Sequence, residues 1–307
     1  MPRPSSRVSL VVMVILILTG CAREKTPILI SDPVFLKLFL DETAIGMKTE
    51  EIPFANDEQK IVKSIQDRYR GRLPDLVFLS PLYSVLGPSL AGLYPETTFF
   101  AFGIKGGPGN LRDIPYNRIP ALEAASDFIV SYCSETFPGS EKKIGVLFLT
   151  NTQMRREEYA AFTDSLSEKA GGLRVVFNEI PRIKDKNTAK NAVESMNRED
   201  PDILFLFLGG ETLNAMNLVE EGTIIVTESI GRYDNPDREI LLSLENDYAG
   251  AINSAEAGNS AQSGIIPSVP VVIRYNPEHE EEIRALLKDK FGGFRVIQML
   301  TLFKKKV

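Results

Sequence analysis

Several side chains that could bind a small polar molecule come directly after apolar runs of this sequence. Asp32 follows the first run and offers a carboxylate, and Phe35 offers a ring on which a flat ligand can stack. Ser80 follows a later run and offers a hydroxyl. Gly209-Gly210-Glu211 follows another run and could present helix amides to an anion or a carboxylate. Asp32 could also cap the helix that begins at Pro33, and the two roles are compatible.

The residues needed for most catalytic chemistry are scarce. One histidine, His279, argues against histidine-rich metal sites and His-centred triads, and we expect it at the surface near a helix start. The glycines of 103–109 lack the Gly-Lys-Ser/Thr of a phosphate loop, so a plain connection is the simpler interpretation. No Gly-x-Ser-x-Gly elbow occurs. The sequence therefore predicts a non-enzymatic protein without cofactor or metal.

The charge balance bears on possible partners. The chain carries 35 basic and 41 acidic residues, and removal of residues 1–20 with Arg3 and Arg7 leaves 33 basic residues and a net charge of −8. An acidic chain of this kind is not expected to bind nucleic acid. The chain has two cysteines, Cys21 and Cys133. Because Cys21 is predicted to be lipidated, as described below, no intramolecular disulfide is expected, and stability must come from buried apolar surface.

Short continuous apolar runs alternate with helical patterns along the chain, as is typical of parallel sheets that are buried on both faces. This alternation predicts two doubly wound α/β halves separated by a Gly- and Pro-rich loop at 103–120. The first half has predicted strands at 27–31, 48–54, 75–79 and 97–102 and helices at 33–45, 57–71 and 82–93. The second has strands at 143–149, 173–180, 202–208, 223–227, 239–244, 270–274 and about 294–303, with helices at 120–135, 154–170, 187–198, 211–221, 246–258 and 277–290.

The first 21 residues have the order of a secretory signal. Arg3 and Arg7 precede an apolar run from Leu10 to Leu18, which is too short to span a bilayer. The following Leu18-Thr19-Gly20-Cys21 resembles the lipobox of bacterial lipoproteins. That resemblance implies cleavage before Cys21, acylation of its thiol and amino group, and a tether at 21–26 that holds the protein on the periplasmic or extracytoplasmic face of a bacterial membrane. The alternative is an ordinary secreted protein whose mature chain begins with cysteine.

Local patterns across nearly the whole remaining chain resemble the type I periplasmic binding proteins. Ser31-Asp32-Pro33-Val34-Phe35 is similar to the turn after the first strand in the ribose- and LacI-like branch. Residues 94–100, Tyr-Pro-Glu-Thr-Thr-Phe-Phe, resemble a motif of the basic-membrane-protein lipoprotein branch, which includes nucleoside binders. Ala125-Ser126-Asp127 and Leu242-Ser243-Leu244 fit either branch.

The resemblance implies two discontinuous lobes joined by a three-stranded hinge. The chain would cross between them near 116–120, 243–246 and 264–270. The N-terminal lobe would then contain 27–117 and 245–265, and the C-terminal lobe 118–244 and 266–307. The ligand is expected between the lobes, at the carboxyl ends of the strands.

The same resemblance assigns further contacts. Arg156 matches an arginine that reaches the ligand, although it could instead be an exposed helix residue paired with Glu157 or Glu158. Val34 stands where sugar binders have a stacking phenylalanine, and the Asp-Arg pair of those proteins is missing near Lys105. The complete set of expected ligand contacts is Asp32, Phe35, Ser80, Lys105, Tyr116, Asn117, Arg156, Gly209, Glu211, Glu228, Ser229 and Asp247.

These features predict a membrane-anchored solute-binding lipoprotein that delivers a small polar ligand to an ABC permease. The missing sugar contacts favour a nucleoside-like or carboxylate-bearing ligand over a hexose. The alternative is a lipoprotein of the same fold that acts in sensing or in binding another envelope protein.

Overall fold

The structure, a computed structural model, describes residues 26–299 apart from residues 41, 54, 56, 71, 139–140, 184, 229–237 and 261–267. The predicted signal sequence, Cys21 and Ser229 therefore lie outside the described residues. The chain divides into two units. One contains the described residues up to Pro33 together with those of Ile45–Asp113, and the other contains the described residues of Val34–Ala44 and those from Ile114 onward.

The first unit is built on a five-stranded sheet in the order β2-β1-β3-β4-β5. β1 pairs in parallel with both β2 and β3, and β3 pairs in parallel with β4. The strands are β1 (Ile28–Ser31), β2 (Lys48–Glu51), β3 (Leu76–Leu79), β4 (Thr98–Phe102) and β5 (Leu111–Ile114), and the helices are α2 (Glu58–Tyr69) and α3 (Gly87–Leu93). Helix α1 (Pro33–Leu38) follows β1 in the chain, but from Val34 onward it belongs to the second unit.

Local sequence explains these elements. Every residue of β1 and β3 is buried, as expected for apolar strands covered on both faces. In α2 the Asp57 side chain accepts a hydrogen bond from the Gln59 amide at 3.0 Å and so caps the helix. Ile61 and Ile65, four residues apart, form its buried stripe.

The second unit is built on a seven-stranded sheet in the order β12-β11-β10-β9-β8-β6-β7. β10 and β11 are antiparallel, and the other neighbouring strands are parallel. The strands are β6 (Lys143–Leu149), β7 (Arg174–Ile180), β8 (Ile203–Phe207), β9 (Ile224–Glu228), β10 (Ile240–Asn246), β11 (Val271–Tyr275) and β12 (Arg295–Gln298). The helices are α4 (Ile119–Thr136), α5 (Gln153–Lys169), α6 (Lys186–Asn197), α7 (Thr212–Met216), α8 (Tyr248–Ser260) and α9 (Glu280–Lys290).

Aromatic rings fill the core between this sheet and α5. Phe162 of α5 contacts the rings of Phe205 and Phe207, with centroids 4.8 and 5.7 Å away, and Phe148 contacts Phe207 at 5.4 Å. Cys133 of α4 lies in the same apolar core, and burial raises the pKa of its thiol to about 11.

The predicted fold class is confirmed, because both units are α/β layers on mainly parallel sheets. The predicted loop at 103–120 contains an additional strand, β5, whose residues are mostly half-buried rather than continuously apolar. Four α-helices are shorter than expected. The helix predicted at 33–45 ends at Leu38, and the helix predicted at 211–221 ends at Met216. The helices predicted at 82–93 and 277–290 begin later, at Gly87 and Glu280.

The two units divide at Asp113–Ile114, whereas the predicted lobes divide at residues 117–118 and assign α8 differently. The structure groups α8 with Val34–Ala44 in the second unit. Asn253 donates to the Ala44 carbonyl at 2.8 Å, and the rings of Tyr248 and Phe35 meet edge-to-face at 5.0 Å. The predicted crossing at 264–270 lies mainly outside the described residues, so the lobe boundaries stay predictions.

Candidate functional site

Each sheet has a position where the chain direction reverses. The chain leaves β1 toward β2 on one side and returns to β3 on the other, and it leaves β6 toward β7 and then continues through β8 on the opposite side. Ligands of open α/β sheets bind outside the carboxyl ends of the strands at such switch points. Polar side chains are buried at both of these positions.

In the first unit the switch point holds Asp32 and Ser80. Asp32 is 3% exposed and Ser80 is fully buried, and the Ser80 hydroxyl donates to Asp32 Oδ2 at 3.2 Å. Ser84 extends this polar group by donating to the Ser80 carbonyl at 3.0 Å. Asp32 also directly precedes α1, as its alternative role as a helix cap requires. A carboxylate and two hydroxyls are therefore concentrated where β1 and β3 end.

In the second unit the switch point is dominated by Arg155, in the first turn of α5. Its guanidinium has five N–H donors, and each has an acceptor. Nε donates to the Leu149 carbonyl at 3.1 Å, and Nη2 donates to the Phe207 carbonyl at 3.0 Å. The remaining bonds go to Glu158 Oε2 at 2.8 Å and, in two-pronged geometry, to Glu228 at 2.7 and 2.9 Å. The guanidinium also lies 4.4 Å from the centre of the Phe148 ring.

Glu228, the last residue of β9, is saturated in the same way. Its Oε1 accepts from Arg155 Nη2 and from the Gly209 amide at 3.0 Å, and its Oε2 accepts from Arg155 Nη1 and from Arg118 Nη1 at 2.6 Å. Gly209 has a φ of 60°, which favours glycine and lets the chain turn sharply after β8. One buried carboxylate thereby joins two buried guanidinium groups.

The charges in this cluster shift one another's protonation. Burial alone would raise the pKa of Glu228, but Arg155 and Arg118 lower it to about 2, so Glu228 is ionised at neutral pH. Burial raises the pKa of Glu158 above its ordinary value, although both arginines act in the opposite direction. Burial would lower the pKa of Arg118, but Glu228 and Glu158 raise it. Arg118 is therefore a cation.

Arg118 differs from Arg155 in one respect. It lies directly before α4, it is 6% exposed, and its Nη1 binds Glu228. Its Nε and Nη2 are buried, and among the described residues neither has a hydrogen-bond acceptor. Glu158 Oε1 is likewise buried without a donor within that part of the chain. Within the described residues, Arg118 therefore has two nitrogens without acceptors, and Glu158 has one oxygen without a donor.

Several residues that the sequence predicts as ligand contacts bond to other protein groups or are exposed. Arg156 is exposed, and its guanidinium bonds to Gln153 at 3.1 Å and to the Thr150 carbonyl at 3.4 Å, whereas Glu158 pairs with Arg155. The Gly209 amide, expected to be open to an anion, donates to Glu228 instead. Glu211 accepts from Asn214 at 3.2 Å. Lys105 and Asn117 are exposed.

The remaining expected contacts have structural partners. Asp247 accepts from the Gly250 amide at 2.8 Å at the start of α8 and lies 3.4 Å from Arg295. Tyr116 hydrogen-bonds Tyr248, whose ring contacts the buried Phe35. Tyr116 also forms an isolated bridge with Val269.

A separate cavity of about 500 Å³ lies beside the starts of β9 and β10 and the end of β11. It is lined by residues that include Glu221, Arg238, Glu239, Glu278 and His279. His279, expected at the surface, has a side chain that is 15% exposed, and its Nε2 lies 3.2 Å from Glu239. In the described chain, no group of three or more His, Cys, Asp or Glu could hold a metal ion. Within the same residues, no helix has both the length and the apolarity needed to cross a bilayer.

No protein-family model and no curated protein matches the sequence. Solved structures do match the fold. ABC transporter solute-binding proteins from Aeropyrum pernix K1 align over 88% of this chain and 81% of theirs, with 14% identity and a TM-score of 0.61. A periplasmic ribose ABC transporter protein from Conexibacter woesei DSM 14684 aligns over 86% and 96%, with 14% identity and a TM-score of 0.55.

A third match has another role. A transcriptional activator of the comK gene from Bacillus halodurans aligns over 86% of this chain and 95% of its own, with 14% identity and a TM-score of 0.57. Identities this low show a common fold and leave the function to be argued from the site. The chain has the two-unit, parallel-sheet α/β fold of the periplasmic binding proteins.

Proposed function

We propose that this protein is an extracytoplasmic solute-binding protein that delivers a small polar ligand to an ABC permease. The observation that carries the proposal is the burial of polar side chains at the switch points of both sheets. Asp32 and Ser80 occupy one, and Arg118, Arg155 and Glu228 occupy the other. Burying polar groups costs free energy unless they are hydrogen-bonded, so such a concentration of them calls for a functional reason. These groups lie where open α/β sheets bind ligands.

The anchor and the ligand class are parts of the same proposal. The order of residues from Arg3 to Cys21 supports lipid attachment at Cys21 on a bacterial membrane. The loss of sugar-stacking and Asp-Arg positions favours a nucleoside-like or carboxylate-bearing solute. The matched Conexibacter protein is named for ribose, so pentoses and hexoses must be tested beside these classes. Binding followed by transfer, without chemistry on the ligand, is the proposed activity.

Native mass spectrometry of the full chain in mild detergent, followed by a thermal-shift panel, tests the proposal. The panel contains hexoses, pentoses, nucleosides, amino acids and organic acids. A true ligand at one hundred times its dissociation constant should stabilise the protein by about 2.7 kcal/mol. Co-purification of a small molecule that also raises the melting temperature is the expected result. Absence of both a co-purified molecule and any response to the panel would contradict solute binding.

A second function is favoured by one specific observation. Every N–H group of Arg155 and both oxygens of Glu228 already have protein partners, so these two residues have little left to offer a solute. A lipoprotein of this fold could instead sense or bind another envelope protein. Capture of one envelope protein by the full chain, with no small molecule bound, would favour this alternative.

A further inference from the structure

We infer that Arg118 is a receptor for the carboxylate of the bound solute, which it holds through its unoccupied Nε and Nη2 donors. This inference rests on the proposed solute-binding function and narrows it to one ligand class. Arg118 carries a full positive charge and is 6% exposed, so it is at least nine-tenths buried. One of its terminal nitrogens is committed to Glu228 at 2.6 Å.

The geometry of the guanidinium selects the ligand group. Nε–H and one N–H of Nη2 lie in one plane and point in the same direction, which matches the two oxygens of a carboxylate. Neither donor has an acceptor among the residues that the structure describes. Leaving a buried donor of a charged group without an acceptor costs free energy, so a ligand that accepts from both donors recovers that cost as binding free energy. A planar anion fits this pair better than a single hydroxyl.

The pairing of charges in the cluster supports an anion. Arg118 and Arg155 carry two positive charges, and Glu228 is held ionised between them. Glu158 pairs with Arg155 at 2.8 Å, and Glu228 is shared by Arg155 and Arg118. A ligand carboxylate would give Arg118 a second anionic partner, which a neutral sugar does not supply.

Aromatic residues lie beside the receptor. Tyr116 lies two residues before Arg118 and hydrogen-bonds Tyr248, whose hydroxyl also accepts from the Asn246 side-chain amide at 3.0 Å. The Tyr248 ring in turn contacts the buried Phe35 ring. We take these rings as the apolar surface for the body of the organic acid.

The decisive variant is Arg118→Lys, which keeps the positive charge but loses the planar two-pronged donor. The probes are acetate, pyruvate, L-lactate, succinate and L-glutamate, each compared with its amide or methyl ester. We expect at least one acid to raise the melting temperature of the full chain and its neutral derivative to have no effect. Arg118→Lys should weaken that binding at least tenfold. Arg284→Lys, the same change at an exposed arginine of α9, should leave it unaltered.

A second measurement does not depend on the variant's folding. In the unaltered protein, the ¹⁵N resonance of Arg118 Nε should shift on addition of the active acid. Stabilisation by sugars or nucleosides, with no response to any acid, would overturn the receptor while leaving solute binding intact. Acid binding that survives Arg118→Lys, or that leaves the Nε resonance unchanged, would show that the acid binds elsewhere and would also overturn it. No response to any class would contradict the proposed function itself.

Discussion

Arg155 and Glu228 form a two-pronged ion pair between residues 73 positions apart in the chain, with Nη2–Oε1 and Nη1–Oε2 distances of 2.7 and 2.9 Å. The pair joins the first turn of α5 to the end of β9 across the switch point of the seven-stranded sheet. Because both side chains are buried, neither can exchange its partner for water without a large cost. The pair therefore sets the position against which Arg118 is held.

Removing the carboxylate should be strongly destabilising. Glu228→Leu leaves Arg155 and Arg118 as buried cations without their shared acid, and breaking a buried pair in this way costs about 3–5 kcal/mol. Urea unfolding followed by circular dichroism measures the change. Glu194→Gln is the control, because Glu194 forms an exposed pair with Lys190 at 3.6 Å, and its loss should cost less than about 1 kcal/mol. Equal effects of the two changes would contradict the importance of the buried pair.

The same carboxylate predicts a stability loss in acid. Its pKa falls from 4.5 in the unfolded chain to about 2 in the folded protein, so its contribution is present above pH 4.5 and is lost as the pH falls toward 2. Glu158, whose pKa is raised, acts in the opposite sense and becomes less favourable as the pH rises. Between pH 5 and pH 3 the unaltered protein should lose about 2 kcal/mol more of unfolding free energy than Glu228→Gln. Parallel pH curves for the two proteins would refute this assignment.

Much of this fold could be predicted because its strands are continuous apolar runs, whereas β5 could not. Leu111–Ile114 contains Arg112 and Asp113 in its centre and follows a run of glycines, so nothing in its pattern indicates a strand. The carbonyl of Asn110, just before β5, accepts a hydrogen bond from the Phe99 amide at 2.8 Å in β4. Pairing with a neighbouring strand, rather than local propensity, forms β5.

The arginine of the site could have been found from the phase of its helix. Phe162 and Leu166 define the buried stripe of α5, and Arg155 lies seven positions before Phe162 on that stripe. Arg156 lies one residue off it and is exposed. Arg118 gives no comparable signal, because it precedes α4 and its partner Glu228 is supplied by a distant strand. Long-range charge pairing of this kind is set by tertiary structure alone.

Because α6 packs closely on the sheet at Gly145, we expect that a larger side chain at this position is not tolerated. A Cβ at this position would lie 2.7 Å from Met196 Sδ and 3.2 Å from Leu204 Cδ1. Gly145→Val should therefore destabilise the protein by about 1–3 kcal/mol. Combination with Met196→Ala, which makes room, should cost less than the sum of the two single changes, as denaturant unfolding can measure. Gly293→Ala, which adds a methyl group into open space, should have little effect, and full additivity of the pair would contradict the proposed clash.

The proposed anchor makes a prediction that is independent of the binding site. Cys21→Ser removes the only sulfur available at the expected cleavage position, so incorporation of labelled fatty acid should be abolished. Membrane fractionation should then find the variant unanchored or unprocessed. Cys133→Ser serves as the matched control and should retain the label. Undiminished labelling of the Cys21 variant would rule out lipid attachment at this residue.

Burial of Cys133 also makes this protein convenient for reporter chemistry. Its thiol pKa of about 11 and its place in the apolar core leave little thiolate to react at neutral pH. If Cys21 is acylated, a cysteine introduced at exposed Asn117, next to Arg118, becomes the one readily labelled thiol. A fluorophore attached there could report solute binding without replacement of either native cysteine. The native thiol would become reactive only when the surrounding core opens, so its modification rate would measure unfolding in the same sample.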